Sequence, residues 1–450
     1  MARVGLISLG CPKNTVDSEE ILGEVASAGH VIESDALSAE VLIVNTCGFI
    51  QSAKEESVDA VLDAVRLKQD GVCRSVIVTG CLAQRYGAAL SEEIPEADAF
   101  VGLGRAGEIC SIIERTLGGD RVLRLDRRDA WWTESRGRVH STAPWTAYLR
   151  IADGCDNRCS YCAIPDIRGG FASRPEERVL EEARALADQG VRELVLVAQD
   201  VTRYGLDAHG RLTLPGLLDR LSGVDGVDWI RLLYLYPSRV TDELIETIAG
   251  NEKVCKYVDI PLQHCAESVL RAMNRPGSRT DYGELIARIR DSCPDVALRT
   301  TFIVGFPGET EADFEELADF VAEMRFDRMG AFRYSIEDGT PAADMPATIP
   351  ARVAEIRLRR LMTLQQGISL ESNRGLVGSG LEVLIERVEG DLRVGRSHRD
   401  APEIDGVVYV EGSSASPGEM VHAAVTGATH YDLTARCNDG LNEKSPEVQI

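Results

Sequence analysis

The stretch DGCDNRCSYC, residues 153–162, places three cysteines in one short loop with the spacing C-x3-C-x2-C. Thiolates this close suit an iron–sulfur cluster, whose irons are usually held by cysteine. A [4Fe–4S] cube has four irons, so three ligands, Cys155, Cys159 and Cys162, would leave one iron open to a small molecule. Zinc is the main alternative. A structural zinc site, however, usually pairs C-x2-C with a second such pair or with two histidines, and the sequence has no such partner.

The loop follows a predicted strand at residues 147–151, the first of six strands that are each followed by a helical pattern. The other five are predicted at residues 193–197, 229–234, 257–260, 296–304 and 329–334. Six parallel βα units are too few for a closed eight-stranded barrel. We therefore predict an open (β/α)6 partial barrel over residues 145–374. Ligand chemistry in such folds lies at the C-terminal ends of the strands, where the cysteine loop is also expected.

The first part of the chain, residues 1–118, alternates buried strand patterns with helical patterns. Apolar runs at residues 4–9, 41–44 and 75–79 are rich in Val, Ile and Leu. Such continuous runs between helices indicate a parallel sheet that is covered on both faces. We therefore predict a doubly wound α/β domain at the N-terminus.

A second set of cysteines, Cys11, Cys47 and Cys81, follows these three runs one by one. The C-terminal ends of the strands of a doubly wound sheet line one crevice, so the three thiols should converge. Glycines beside them provide space and backbone freedom; they are Gly10, Gly48 and Gly80. The alternative is that all three are ordinary buried cysteines, which are common in protein cores. The presence of the first cysteine motif favours a second cluster site.

The last part of the chain differs in character. Residues 119–144 are charged, contain Trp131-Trp132, and are interpreted as a linker. Residues 375–450 carry short strand patterns at 382–388, 392–396, 406–411 and 420–428, which predict a small OB-like β-barrel. This segment has six Lys/Arg and thirteen Asp/Glu, a net charge of −7.

Composition narrows the class of partner and the compartment. The net charge of −23 disfavours a nucleic-acid ligand and favours a basic protein partner. No apolar run is long enough to cross a membrane. The N-terminus runs directly into a strand pattern and lacks the features of a signal peptide, so a cytoplasmic location is expected. Twelve cysteines in a reducing compartment indicate metal or redox chemistry rather than disulfides.

The cysteine loop resembles the signature of the radical S-adenosylmethionine (SAM) enzymes, and the whole chain resembles their methylthiotransferase family. The motifs that carry this resemblance are SLGCPKN at 8–14, the loop itself, CAIP at 162–165, Arg168-Gly169, and FIVGFPGET at 302–310. The CPKN start resembles the members that act on a ribosomal protein. So does PLQH at 261–264, where the transfer-RNA type usually has serine in place of the histidine. One departure is Thr434, where the family often has an aromatic residue.

This resemblance implies the chemistry, the cofactors and the partners. The C-terminal barrel would be of the TRAM type, and the cofactors would be two [4Fe–4S] clusters and SAM. The reaction would be methylthiolation of the β-carbon of an aspartate in small-subunit ribosomal protein twelve. It would use SAM twice, once to methylate a sulfur species and once to form the radical that removes hydrogen. An electron donor such as a flavodoxin or ferredoxin is implied. No sulfur donor is identified, and nucleic acid would be met only indirectly.

Several further residues are candidates for binding SAM, each with a structural alternative. Tyr161 lies between two ligands, and its alternative role is packing. Gln199 and Asp200 end a strand and are candidates for the SAM amino group or for a cap. Gln263 and His264 end another strand at the same rim, where a lone histidine is often only hydrogen-bonded structure. Gly305 and Gly308 would let the backbone approach adenine, or would form a tight turn before a capped helix. No catalytic acid or base is assigned.

Two other functions remain open at this point. The chain could act on a transfer-RNA adenosine, which belongs to the same reaction class. It could also be an iron–sulfur electron carrier without catalysis. A carrier would not cleave SAM when reduced, whereas an enzyme would.

Overall fold

The structure is a computed structural model that describes residues 1–126 and 137–437. Trp131 and Trp132, interpreted above as an anchor of the linker, lie outside the described residues. None of the helices in these two ranges is long and apolar enough to cross a bilayer.

The N-terminal domain is built on a parallel six-stranded sheet with strand order β2-β1-β3-β4-β5-β6. Its central strands are buried on both faces. The helices cover both faces, since two separate apolar clusters flank the sheet. The predicted doubly wound sheet is therefore confirmed. The strands are β1 (Arg3–Ser8), β2 (Val31–Ile32), β3 (Val41–Thr46), β4 (Ser75–Gly80), β5 (Ala99–Val101) and β6 (Val122–Arg124). The helices are α1 (Pro12–Ser27), α2 (Gln51–Gln69), α3 (Cys81–Glu93) and α4 (Ile109–Leu117).

The central domain is an open barrel. Its six strands are all parallel, and the two end strands, β14 and β7, do not pair with each other. The open (β/α)6 prediction is confirmed. The six strands are β7 (Thr146–Arg150), β10 (Glu193–Val197), β11 (Trp229–Leu232), β12 (Val254–Asp259), β13 (Ala297–Val304) and β14 (Arg328–Arg333). A separate short pair consists of β8 (Ala152–Asp153) and β9 (Ala172–Ser173).

Helices surround the outside of this barrel and bury its largest apolar core. They are α6 (Glu176–Asp188), α8 (Leu214–Ser222), α9 (Asp242–Gly250), α10 (Glu267–Ala272), α11 (Arg279–Ser292), α12 (Glu311–Met324) and α13 (Ala351–Gly375). Two short helices, α5 (Ile164–Arg168) and α7 (Leu206–His209), contribute no residue to this core.

The C-terminal domain is a closed five-stranded barrel with strand order β15-β16-β17-β19-β18. Four of these strands were predicted from the sequence, and the last one along the chain was not. The strands are β15 (Gly380–Glu389), β16 (Leu392–Ser397), β17 (Val408–Glu411), β18 (Met420–Ala428) and β19 (Leu433–Cys437).

The N-terminal domain covers one end of the open barrel, and the C-terminal domain covers the other end. At the C-terminal ends of the strands, Val16 of α1 packs into the barrel interior. At the opposite end, Leu384 and Ala401 of the C-terminal barrel pack into the same interior cluster. The C-terminal barrel therefore lies at the far end of the strands from the cysteine loop.

Buried ion pairs hold the C-terminal barrel in this place. Glu193 accepts hydrogen bonds from Arg231 at 2.7 Å and from Arg396 at 2.5 Å. Burial alone would raise the pKa of Glu193, but these two arginines lower it to about 2. Arg328 pairs with Asp400 at 2.7 Å. Part of the acidic excess of this domain is thus used in docking to the chain's own arginines and is not offered to a partner.

Candidate two-cluster active site

The N-terminal cysteines lie together because their strands are neighbours in the sheet. Cys11 precedes the first residue of α1, Cys47 directly follows β3, and Cys81 is the first residue of α3 after β4. Strands β1, β3 and β4 are adjacent, so the three strand ends meet at one edge. The pKa of Cys81 is raised to about 12, mainly by burial and in part by the nearby thiols of Cys11 and Cys47. The structure therefore places three free thiols within electrostatic range of one another.

Two glycines make this convergence possible. Gly10 has φ of 97°, and a Cβ added to it would lie 2.8 Å from the Cβ of Cys47. Gly80 has φ of 95°, and an added Cβ would lie 2.4 Å from the carbonyl oxygen of Thr46. Both the backbone angle and the lack of space exclude a side chain at these positions.

The second cysteine loop is held from several directions. The Cys155 amide donates to the Gly169 carbonyl at 2.9 Å. The Ser160 amide donates to the Met273 carbonyl at 2.9 Å, and the Ala342 amide donates to the Ser160 carbonyl at 2.8 Å. The loop therefore has a defined shape that does not depend on its thiols alone.

Arg275 is a residue of this site that was not predicted from the sequence. Its Nη1 lies 3.6 Å from the sulfur of Cys159, and its Nη2 donates to the Pro261 carbonyl at 2.8 Å. The guanidinium also stacks on the ring of Tyr236, 4.5 Å from the ring centroid. Burial raises the pKa of Cys162 to about 12, and Arg275 acts against this rise. A fixed positive charge at this point favours thiolates, the form that binds metal.

The two cysteine sites adjoin each other across the domain interface. Cys81 packs in one small cluster with Ala163 and Ile167, which directly follow the second loop. Arg168 links the two sites, since it donates to Asn14 Oδ1 at 2.7 Å and to Asp153 Oδ2 at 2.6 Å. Packing through Cys81 and hydrogen bonds through Arg168 therefore join the two cysteine sites.

The six cysteines of the two sites stay predicted ligands of two clusters. All six are free thiols. The cysteines of a cube each bind a different iron, so they need not approach one common point, whereas a zinc ion needs its ligands on a single centre. Within residues 1–126 and 137–437, no three Cys, His, Asp or Glu side chains are placed to hold one metal ion.

Gln199 and Asp200 differ in whether their side-chain polar atoms already have hydrogen-bond partners. The Gln199 amide lies near Asp153 and helps to lower its pKa. Yet neither Oε1 nor Nε2 of Gln199 makes a well-aligned hydrogen bond, although both atoms are buried. The Asp200 carboxylate accepts from Asn157 at 3.1 Å and from Arg239 at 2.7 Å. Gln199 is therefore the better candidate for a ligand contact, since buried polar groups usually have partners.

The structure also places Tyr161, Gln263 and His264. Tyr161 packs edge-on against Phe306, with ring centroids 6.5 Å apart. Gln263 has φ of 72° and its backbone pairs with β13. His264 is fully buried, its Nδ1 accepts from the Ala266 amide at 3.0 Å, and Asp313 of the helix layer is near enough to affect its pKa. This buried place differs from the rim position expected for His264.

The glycine loop before α12 is occupied by the chain itself. A Cβ added to Gly305 would lie 2.6 Å from Ala354 Cβ of α13. The amides of Gly305 and Phe306 both donate to Glu309. Gly308 has φ of 83°, and a Cβ added there would meet nothing within 4 Å. Helix packing and a turn account for both glycines, and their contact with adenine stays a prediction.

His264 should make the protein sensitive to acid. Burial lowers its pKa to about 4, against about 6.5 in an unfolded chain. The unfolded state therefore binds more protons between these values, and stability falls as pH drops through this range. From pH 7 to pH 5, wild type should lose about 2 kcal/mol more of unfolding free energy than His264→Asn. Urea denaturation at both pH values measures this. Equal losses of unfolding free energy in the two proteins would contradict this prediction. Burial also lowers the pKa of His398 to about 4, but His398 is present in both proteins, so its contribution to the difference cancels.

Comparison with known proteins agrees with the three-domain fold of this chain. The model of the Radical SAM superfamily matches residues 149–321, and that of the TRAM domain matches residues 377–437. The model described as uncharacterized protein family UPF0004 matches residues 3–102. A Ribosomal protein uS12 methylthiotransferase RimO from Pelotomaculum thermopropionicum is 50% identical over 440 residues, covering 96% of this chain and 98% of the relative. The chain belongs to the RimO family.

Another RimO, from Desulforamulus reducens, is 49% identical and covers 96% of this chain and 99% of its own length. The resemblance to the methylthiotransferases is thereby confirmed. Among solved structures, the radical SAM methyltransferase TsrM from Kitasatospora setae has a TM-score of 0.54 at 14% identity. The match covers 88% of this chain and 81% of that one. At this identity the match supports the fold alone. Membership of the RimO family brings SAM and [4Fe–4S] clusters as cofactors.

Proposed function

We propose that this chain attaches a methylthio group to the β-carbon of one aspartate in ribosomal protein uS12. The observation that carries this proposal is the near-complete match to proteins named as uS12 methylthiotransferases. The adjoining cysteine sites support it independently. A reaction that breaks a C–H bond and adds sulfur at the same carbon needs the radical-forming site and the sulfur-donating site close to one substrate atom.

Each cysteine set would hold one cluster. Cys155, Cys159 and Cys162 would hold the cluster that binds SAM, and Cys11, Cys47 and Cys81 would hold the other. When bound, these groups supply the one-electron reduction of SAM and an iron that carries the donated sulfur.

The chain's own residues position these groups and exclude side reactions. Arg275 keeps a positive charge beside Cys159. Arg168 fixes the two domains to each other through Asn14 and Asp153. The buried amide of Gln199, which makes no well-aligned hydrogen bond, is our candidate for a SAM contact. The other residues that we predict to contact SAM are Tyr161, Asp200, Gln263, His264, Gly305 and Gly308.

The remaining partners follow from the proposed chemistry. Reduction of SAM needs an electron donor, such as a flavodoxin or ferredoxin. The substrate is part of the ribosome, so we place the chain in the cytoplasm, where nucleic acid is met only through the ribosomal subunit. The net charge of −23 suits a basic protein substrate better than RNA.

A direct test is to offer the reconstituted, reduced protein two substrates in parallel. With SAM and a sulfide source, uS12 should gain one methylthio group on an aspartate, detected by tandem mass spectrometry. Transfer RNA under the same conditions should remain unmodified. Modification of tRNA adenosine with none on uS12 would overturn the proposal, and so would the absence of SAM cleavage by fully iron-loaded protein.

A further inference from the structure

Lys13 is a buried cation that makes no ion pair with another described residue. It is 8% exposed and lies two residues after Cys11, in the first turn of α1. Its ammonium lies 3.7 Å from the centroid of the Tyr234 ring. Within the described ranges, no carboxylate lies at ion-pair distance from Lys13. A buried charge that lacks a paired partner costs free energy, so this position calls for a function.

Two carboxylates of this region make their ion pairs with arginines. Asp153, whose charge acts on Lys13, pairs with Arg168 at 2.6 Å. Asp259, which accepts from the Tyr234 amide, pairs with Arg299 at 2.9 Å. Among the described residues, the ammonium of Lys13 therefore has the ring of Tyr234 against it and no carboxylate at ion-pair distance.

Tyr234 is held in an unusual conformation that preserves this arrangement. It has φ of 65°, a left-handed value that is rare for an aromatic residue. Its amide donates to Asp259 Oδ2 at 2.9 Å, which fixes the backbone just after the end of β11. Backbone strain of this kind persists where the surrounding structure maintains it, and it concentrates at functional sites. The ring therefore holds Lys13 at the C-terminal end of the barrel, beside Cys11.

The open edge of the barrel carries an exposed aromatic side chain. On β13, Phe302 and Val304 belong to the outer core, so the alternate residue Thr301 faces inward. A Cβ added to Gly330 of the edge strand β14 would be 3.7 Å from the ring of Phe332 and 3.8 Å from Thr301. Phe332 is 55% exposed.

We propose that Lys13 binds the side-chain carboxylate of the substrate aspartate; this rests on the function proposed above. The carboxylate is bonded directly to the β-carbon that receives the methylthio group. A charge-assisted hydrogen bond from Lys13 fixes that carbon next to the Cys11, Cys47 and Cys81 site. It also sets specificity, because a neutral side chain or a nucleobase would leave the buried ammonium unpaired.

The test is a double-mutant cycle on binding affinity. One pair is wild-type protein and Lys13→Met, both reconstituted and with SAM but without reductant. The other pair is uS12 and uS12 in which the modified aspartate is replaced by asparagine. Wild type should bind the aspartate form about 10- to 100-fold more tightly than the asparagine form. Lys13→Met should lose that preference, and Lys13→Arg should restore part of it.

Three further outcomes decide against the proposal. Equal affinity of wild type for the two forms of uS12 would overturn it without needing any variant. Equal weakening of both forms by Lys13→Met would show a structural role. A loss of SAM affinity or of iron in Lys13→Met, with the aspartate preference retained, would assign Lys13 to the cofactors. If wild type modifies uS12 and still shows one of these results, the proposed function stands and only the role of Lys13 fails. Absence of uS12 modification by wild type would overturn both.

Discussion

Replacing Cys155, Cys159 and Cys162 together with alanine should abolish reductive cleavage of SAM and remove about half of the bound iron. The loop that carries these residues is anchored through Ser160, Met273 and Ala342, so the fold should survive the loss of its thiols. The remaining half of the iron would belong to the N-terminal site. Iron analysis and detection of 5′-deoxyadenosine after reduction measure the two effects.

A matched control is the triple replacement of Cys73, Cys110 and Cys437 with alanine. These cysteines lie outside both proposed sites. This variant should retain its full iron content and its SAM cleavage. The assignment of the loop would be wrong if the loop variant still cleaved SAM, or if the control lost as much iron as the loop variant did.

Replacing Cys11, Cys47 and Cys81 with alanine should separate the two halves of the reaction. The SAM-binding loop lies in a different domain, so reductive cleavage of SAM should continue. Attachment of the methylthio group to uS12 should fall below detection, because the site that holds the donated sulfur is gone. About half of the iron should again be lost. Cleavage products and the modified peptide can be quantified in the same reaction.

The control for this variant is its melting transition, because Cys81 packs on Ala163 and Ile167 at the domain interface. The hydrogen bond between Asn14 and Arg168 should hold the interface together without the thiols, so the melting transition should match that of wild type. A folded variant that has lost SAM cleavage, or one that keeps its full iron content, would refute the division of labour.

The grouping of Cys11, Cys47 and Cys81 was predictable because it follows from parallel strands alone. Each cysteine follows a strand, and strand ends in a parallel sheet meet at one edge. The short strands β2, β5, β6, β8 and β9 were missed, since two or three residues are too few to show a period, and the five-residue strand β19 was missed as well. Their positions depend on pairing with longer strands, which a local pattern does not record.

The contacts between distant segments were not predictable. Arg275 reaches Cys159 from a loop 116 residues later in the chain, and nothing in the residues around it indicates a cysteine neighbour. The pairing of Lys13 with Tyr234 joins two domains in the same way. Docking of the C-terminal barrel through Asp400 and Arg328 also removes part of its acidic charge from the surface, and a residue count does not show which charges are buried in this way.

Glycine and histidine motifs were harder to interpret than cysteines. Gly305 was expected to admit a ligand, and the structure shows helix α13 against it instead. His264 ends a strand, as expected, but its side chain is buried. A cysteine triplet has few explanations other than a metal site. A pair of glycines or a single histidine has many structural explanations, such as a tight turn or a buried imidazole.

The mass of uS12 from cells that lack this chain is the most direct test of a two-site uS12 methylthiotransferase. In the parent strain, one aspartate of uS12 should carry a methylthio group in place of a hydrogen, and the deletion strain should show the unmodified residue. The wild-type gene should restore the modification, whereas neither the Cys155, Cys159, Cys162 variant nor the Cys11, Cys47, Cys81 variant should do so. A fully modified uS12 in the deletion strain, or restoration by either variant, would contradict the account.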